Sequence, residues 1–501
     1  MLPGKRESII LKNKKEILVV GAGLGGISTS IYLAKSGWKV TLIEKNDTLG
    51  GKLNRYQKKG FTFDTGPSLI TLPNIFEDLF NIAGKSFYKD LNPIKINPLF
   101  QYIFPSGKTM KYSTNIDELS KEVEKLTGDK EEIFRVYKFF EHGAKIFKFS
   151  NETFLSKSPY TRPKFSELFE FLFAPKRFTI SKYSKMISSF FQSKELQQLF
   201  NRYPTYVGSS PYESVAMLAI IPYIEIAMGG WYVPGGLFKI IENLEKIATN
   251  LGVNIIKNTE ISNIVTDKNK IKYLETKNKE IYDCERVVFN CDPMYVKNIV
   301  TNRLDTKMQN NLSMSGFMML VAINKKIKNV HHHTVCFSDD YVKEFDQLIN
   351  QKKFPDDPTV YINIPSITDK NISPEGSETV FIMANAPASR KKWDNKKIMD
   401  AKNKILNRIS KSKIENFMND VEFIEYITPN ILEEKYNAPF GSIYGQISHG
   451  WKKTFLRPSM KDKKIDGVYY VGGGTHPGGG TPIVIKSAKI VSEMINNDHE
   501  K

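Results

Sequence analysis

A chain of 501 residues, 41% hydrophobic and 25% charged, is long enough for two to four folding units and too apolar to be disordered. Its three cysteines, Cys284, Cys291 and Cys336, form neither a disulfide framework nor a zinc-type spacing, which suits a reducing cytosol. Lysine and arginine number 72 against 54 acidic residues, a formal net charge of +18; with no zinc-finger or aromatic RNA-binding signature, this excess points to an acidic membrane surface rather than nucleic acid.

Lys12, Lys14 and Lys15 before Ile17–Val20 have the outline of a signal peptide. The apolar run breaks at once into Gly21-Ala22-Gly23-Leu24-Gly25-Gly26 with no cleavage site, so no signal peptide is expected. Nowhere do about 20 apolar residues follow one another, so no transmembrane helix is expected either. Glu16 to Val20 reads instead as a buried parallel strand. Leu24, Ile27, Ile31 and Ala34 then repeat at helical spacing as far as Gly37, and Lys39 to Ile43 forms a second strand ending at Glu44.

In this unit Gly21, Gly23 and Gly26 spell G-x-G-x-x-G. Gly21 permits the tight turn, Gly23 lets the backbone approach a pyrophosphate, and Gly26 lets helix pack on strand. The helix N-terminus favours the diphosphate, and Glu44 stands where a carboxylate accepts hydrogen bonds from ribose hydroxyls. That carboxylate would repel a 2′-phosphate, which disfavours NADP. Next comes a second glycine turn with a cation, Gly50-Gly51-Lys52, placed to pass beside a diphosphate.

From Pro163 to Phe200, aromatic and aliphatic residues interleave with Lys164, Lys176, Arg177, Lys182 and Lys185, the pattern of a helix lying in a membrane interface or of a core helix pair with solvated lysines. His331-His332-His333 is read as a surface strand or loop, because neighbours on a strand point to opposite faces and do not converge on one ion; no metal site is expected. Val468 to Val471, the glycines from Gly472 to Gly480, and Ile483, Ser487, Ile490 and Met494 at helical spacing form a second strand–glycine–helix unit. The tail from Asn496 is polar and expected to fray.

Phe61-Thr62-Phe63-Asp64-Thr65-Gly66-Pro67, Gly230-Trp231-Tyr232-Val233-Pro234-Gly235-Gly236, Val287-Val288-Phe289-Asn290-Cys291-Asp292-Pro293 and the run from Val468 to Ile483 with Thr475-His476-Pro477 complete a pattern. It resembles the phytoene-desaturase family of carotenoid-forming flavoproteins, within the wider amine-oxidase-like flavoprotein group, in order from about Lys15 to Ile495. The resemblance implies an α/β fold: a Rossmann-like FAD-binding domain of the amine-oxidase-like type with an inserted α+β substrate domain. The FAD domain would gather residues 1–90, 231–300 and 437–501. Residues 91–230 and 301–436 would form the substrate and membrane-associating domain. FAD is long, and two glycine-rich helix starts far apart in one chain serve it along its length better than a single βαβ unit does.

The FAD contacts so implied are Gly21, Gly23, Gly26, Glu44, Gly50, Gly51, Lys52, Gly66, Gly473, Gly474 and Pro477. His476 either contacts the flavin or takes a departing proton, or else ties the loop down, while Asp64 and Gly66 would shape the flavin side of a tunnel. Ala227 stands where many relatives carry an acidic residue. The implied activity is desaturation of an acyclic carotenoid precursor of the diapophytoene or phytoene type. The alternatives are terminal-methyl oxygenation of diaponeurosporene or diapolycopene and a non-catalytic FAD-containing isoprenoid carrier. Gly21–Gly26 and Tyr206–Ser210 look like the oxygenase, Thr475–Pro477 like the desaturase. The expected setting is peripheral, on the cytoplasmic side of the cell membrane, with oxygen or a quinone as electron acceptor.

Overall fold

The computed structural model describes residues 15–155, 181–301, 311–414, 417–455 and 457–500. Strand β1 (Glu16–Val20), helix α1 (Leu24–Lys35) and strand β2 (Lys39–Ile43) form the opening unit. A five-stranded parallel sheet is built around it in the order Val468–Tyr470, Val287–Phe289, β1, β2, Asn254–Ile256. Val19 pairs with Leu42 on one side and Val288 on the other, and all three are fully buried. Such burial on both faces is why these strands read as unbroken aliphatic runs.

One face of the sheet is covered by α1, the helix Phe238–Asn250 and the C-terminal helix Thr481–Glu500. The other carries a small antiparallel sheet, Ile261–Asp267, Lys270–Thr276 and Ile281–Asp283, with Leu18, Val20, Ile264, Leu274 and Phe289 packed between. The expectation of fraying from Asn496 is corrected: the helix runs on to Glu500, and Asn496 Oδ1 accepts from the Trp38 indole N–H at 2.7 Å.

A second, seven-stranded sheet runs Val421–Ile427, Ser315–Ile323, Glu378–Ala386, Val360–Asn363, His333–Cys336, Phe100–Ile103, Thr109–Tyr112. It is antiparallel except between His333–Cys336 and Phe100–Ile103. All nine residues of Ser315–Ile323 are buried, so both faces of this central strand are covered. On one side Phe317, Val321 and Ile382 meet Ala401, Ile405 and Ile409 of the helix Asn395–Lys411. On the other, Met318, Leu320 and Phe381 meet Phe61 and Phe63 of a hairpin that follows the glycine turns.

Two-sided coverage corrects the reading of the histidine run. His332 and His333 are 3% and 0% exposed, not on the surface. Their Nδ1 atoms pair with Thr368 Oγ1 and the Tyr361 hydroxyl, both at 2.7 Å, and burial holds His332 down at about 3 and His333 well below the usual imidazole range. Among the described residues no cluster has the make-up of a metal site.

The aromatic–basic stretch is only partly described, and Pro163–Ile180, with Lys176 and Arg177, lies outside the described residues. Its remainder forms the helix Tyr183–Phe190, whose Tyr183, Met186 and Ile187 point into the core, and most of the helix Lys194–Asn201, which buries Leu196, Leu199 and Phe200. That face is therefore packed against protein, and Lys182 pairs with Glu213 at 3.0 Å. No helix among the described residues is long and apolar enough to cross a membrane.

Candidate functional site

The site grows from the C-terminal ends of the parallel strands, where an open α/β sheet leaves its crevice. Gly21 turns the chain out of β1 with φ +94° and donates its N–H to Ile43 O at 2.8 Å, so the turn is tied to β2. Gly50 N–H donates to Ala22 O at 2.8 Å, which brings the second glycine turn against the first. A side chain at Gly23 would come within 2.8 Å of Asn290 Nδ2, and one at Gly51 within 3.2 Å of the Gly23 Cα; at Gly26 it would run into Gly21 O. The absence of side chains here is what lets three stretches of backbone meet.

Glu44, at the end of β2, is 5% exposed. Its Oε2 accepts from Ala22 N–H at 2.7 Å and its Oε1 from Asn46 N–H at 3.0 Å, so this carboxylate braces both turns while lining the cavity. Lys52 also lines the cavity, but its ammonium reaches across to the carbonyls of Ile443 at 2.5 Å and Ser442 at 3.3 Å. Burial pushes it down to about 8, with Asp292 acting the other way. It fastens the glycine turn to the 442–443 segment instead of standing as a spare cation. Gly66 is needed because a side chain there would strike Lys52 O.

The C-terminal glycines complete the ring. Gly472, Gly473, Gly474 and Pro477 through Thr481 line the same cavity as Gly21, Gly23 and Glu44. Two helix N-termini, those of α1 and the C-terminal helix, thus open on one space. Three residues not assigned from sequence hold this end. Asn290 donates Nδ2 to Gly21 O at 3.1 Å. Arg457 donates to Gly473 O at 2.9 Å, Tyr444 O at 3.2 Å and Ser448 Oγ at 3.0 Å, and burial lowers its guanidinium to about 10. Half-buried Asp292 lies between Lys52 and Arg457 electrostatically; desolvation raises its carboxyl, while the Met294 N–H and then both cations lower it. The signal for Asn290 was its place directly after a parallel strand next to β1. Arg457 carried none.

Two expected catalytic residues make their described contacts away from the cavity. Asp64 accepts from Leu237 N–H at 2.8 Å and Phe238 N–H at 3.3 Å, capping the helix Phe238–Asn250, and it is not among the cavity-lining residues. Burial holds its carboxyl up at about 6 against those two hydrogen bonds and Arg55. His476 is 3% exposed and also outside the lining; its ring meets Phe154 edge-on at 4.6 Å and its carbonyl accepts from Ser487 Oγ at 2.9 Å. These described contacts match the loop-tying role, one of those expected for it.

The cavity measures about 670 Å³ and continues from the glycine turns into an apolar stretch walled by Leu69, Met217, Ile221, Met318, Phe381 and Met383. The donor set fits FAD. Backbone turns bare of side chains meet at one end of the cavity, as a diphosphate requires, the buried Glu44 carboxylate lines it beside them, and Arg457 Nε is buried with no hydrogen-bond partner.

Residues 24–496 match the family of flavin-containing amine oxidoreductases. Among curated proteins the chain is 30% identical to a 4,4′-diapolycopene oxygenase of Methylomonas sp., over 97% of this chain and 99% of that one. It is also 30% identical to a 1-hydroxycarotenoid 3,4-desaturase of Flavobacterium sp., over 96% and 99%. Among solved structures, the cyclohexylamine oxidase of Brevibacterium oxydans shares the fold with a TM-score of 0.62 at 13% identity, covering 97% of this chain and 99% of that one.

Proposed function

We propose that this chain, which belongs to the flavin-containing amine oxidoreductases and is a FAD-dependent oxidoreductase, acts in carotenoid formation as a desaturase of an acyclic precursor of the diapophytoene or phytoene type. The observation carrying this reading is the continuity of one cavity from the glycine cradle to a wall of Met217, Ile221, Met318 and Phe381. A long hydrocarbon offers no group for an acid or base to grip, so binding rests on apolar area removed from water and on holding one C–C bond in place.

FAD, when bound, supplies the two-electron acceptor for a hydride leaving a carbon next to a double bond. The side chains contribute position and dryness. Gly21, Gly23, Gly50, Gly51, Gly473, Gly474 and Pro477 would cradle the cofactor and Glu44 would face its ribose, while Gly26, which lies outside the lining, lets helix α1 pack on the Gly21 turn, and Lys52 and Gly66 set the second turn. The apolar walls keep water from the electron-deficient polyene. Residues 1–90, 231–300 and 437–501 serve as the cofactor domain, and 91–230 and 301–436 as the substrate domain.

A second reading, oxygenation of terminal methyl groups, has the support of the Methylomonas relative at equal identity. Product analysis in cells making dehydrosqualene separates the two. A yellow-to-red conjugated polyene is the expected result, oxygenated ends on supplied diaponeurosporene would favour the second reading, and no change in either lipid would leave a carrier. Because the substrate resides in lipid, we place the enzyme at the cytoplasmic membrane face, docked through its basic surface and reoxidised by oxygen or a quinone. Loss of liposome binding on neutralising Lys176, Arg177, Lys182 and Lys185 at low salt would support that docking, and unchanged binding would remove it.

A further inference from the structure

The proton that desaturation releases needs an acceptor on the protein, because the apolar walls keep water away. Glu44 and Asp292 stand among the glycine turns and accept backbone N–H groups there. A different polar pair stands further along the wall. Ser68 and Tyr361 both line the cavity, both are half-buried, and their hydroxyls share a hydrogen bond of 2.6 Å. Ser68 comes directly after Gly66-Pro67, which lie against the Lys52 turn at the cofactor end. Tyr361 pairs in register with Met383, and its ring meets that of Phe381 at 6.5 Å, both residues of the apolar wall. The two hydroxyls therefore sit where the cofactor end passes into the hydrocarbon end.

Behind Tyr361 lies His333, opposite Asn363 on the neighbouring strand, with its Nδ1 2.7 Å from the Tyr361 hydroxyl. The Asn363 side-chain nitrogen donates to the His332 carbonyl at 3.1 Å and stands 3.2 Å from the same Nδ1. An amide nitrogen only donates, so His333 Nδ1 is the acceptor and its Nε2 carries the hydrogen. Tyr361 thus gives its O–H to the imidazole and keeps oxygen lone pairs for Ser68 and for the cavity. His333 Nε2 is buried with no hydrogen-bond partner, so a proton arriving at Nδ1 leaves only by the way it came. Burial, with His332 and Arg202 acting in the same direction, holds this imidazole well below its usual range and so keeps it neutral, ready to accept.

We propose that Tyr361 is the catalytic residue that receives the departing proton, handing its own hydroxyl hydrogen to His333 in the same step. This rests on reading the cavity as the site of a desaturase and adds the route of the proton to it. As the hydride leaves one carbon, the C–H electron pair of the neighbouring carbon becomes the second bond of the new double bond. The proton from that carbon goes to the Tyr361 oxygen, and the Tyr361 hydrogen crosses to His333 Nδ1. Carbon beside a positive charge spread over a polyene is strongly acidic, so a weak base suffices. When oxygen or a quinone takes up the two electrons, the proton returns through Tyr361 and leaves with them, which restores both residues.

The test mixes FAD-loaded enzyme anaerobically with detergent-solubilised dehydrosqualene and follows the flavin absorption band. Its shift reads binding, and its bleaching reads the coupled loss of hydride and proton. Tyr361→Phe keeps the ring and removes the oxygen, so bleaching should slow at least about a hundredfold. The affinity should stay within about threefold, because apolar area sets it. A merely structural hydroxyl would change the affinity or the flavin content instead. The unaltered enzyme should also bleach more slowly in heavy water, because an exchangeable hydroxyl hydrogen moves in the step; this measurement decides the matter if Tyr361→Phe loses its flavin. Bleaching at the unaltered rate in Tyr361→Phe, or equal rates in the two waters, would overturn the proposal and leave the desaturase reading standing. No bleaching in the unaltered enzyme would overturn that reading and the proposal with it.

Discussion

Asn290 and Gly21, 269 residues apart in sequence, are joined by a 3.1 Å hydrogen bond from the Asn290 side-chain amide to the Gly21 carbonyl. The same side chain crowds Gly23, Gly25 and Gly472, so one residue at the end of a neighbouring strand sets the spacing of both glycine clusters. Asn290→Leu keeps the branched shape but orphans the Gly21 carbonyl, at about 1–3 kcal/mol. Flavin affinity should fall roughly tenfold or more, read by titrating apoprotein with FAD.

Gly23→Val should abolish flavin retention. Even the first carbon of a side chain there would lie 2.8 Å from Asn290 Nδ2, and the branched remainder would occupy the approach to the diphosphate. The check is the visible absorbance of the purified variant; a normal flavin spectrum would refute the cradle.

Asp64→Ala should act on stability rather than chemistry. The carboxylate caps the helix Phe238–Asn250 through two backbone N–H groups, and loss of such a cap costs about 1–2 kcal/mol. A lower unfolding midpoint with preserved product formation is expected. Loss of product in a variant that keeps its flavin and its midpoint would return Asp64 to the chemistry.

The sequence showed clearly what is local. The first βαβ unit, its glycines and Glu44 follow from spacing alone, because each part contacts neighbours close along the chain. The helix-capping contacts of Asp64 were not legible because its partners, Leu237 and Phe238, arrive over 170 residues later. Asn290 and Arg457 acquire their meaning only from the strand order Val468–Tyr470, Val287–Phe289, β1, which no periodicity encodes. The histidine run misled because alternation tells which residues oppose each other, not whether a sheet has one covered face or two.

That run sets an acid-sensitive element. His332 titrates at about 3 when folded against an unfolded value of 6.5, so the unfolded chain binds more protons between these values and stability is lost as pH falls through that window. From pH 6.5 to 5 the loss is about 2 kcal/mol for this residue. Asp64, held up at about 6, and Glu344, at about 7, act in the opposite sense over part of the range, so the quantity to read is a difference. Denaturant unfolding at pH 7.5 and 5 should show the unaltered protein losing about 2 kcal/mol more than His332→Gln. Equal losses would mean that His332 titrates normally.

The five-stranded sheet has a consequence for how the polypeptide reaches its final form. Its middle strand leaves the ribosome hundreds of residues before its partners Val287–Phe289 and Val468–Tyr470. Pairings so remote are slow to form, and until they do the aliphatic edge of β1 is open to wrong partners. Prosthetic-group capture is thereby deferred until the last of these strands has emerged, and a cell making this protein must shelter a half-built sheet while the residues between them are made.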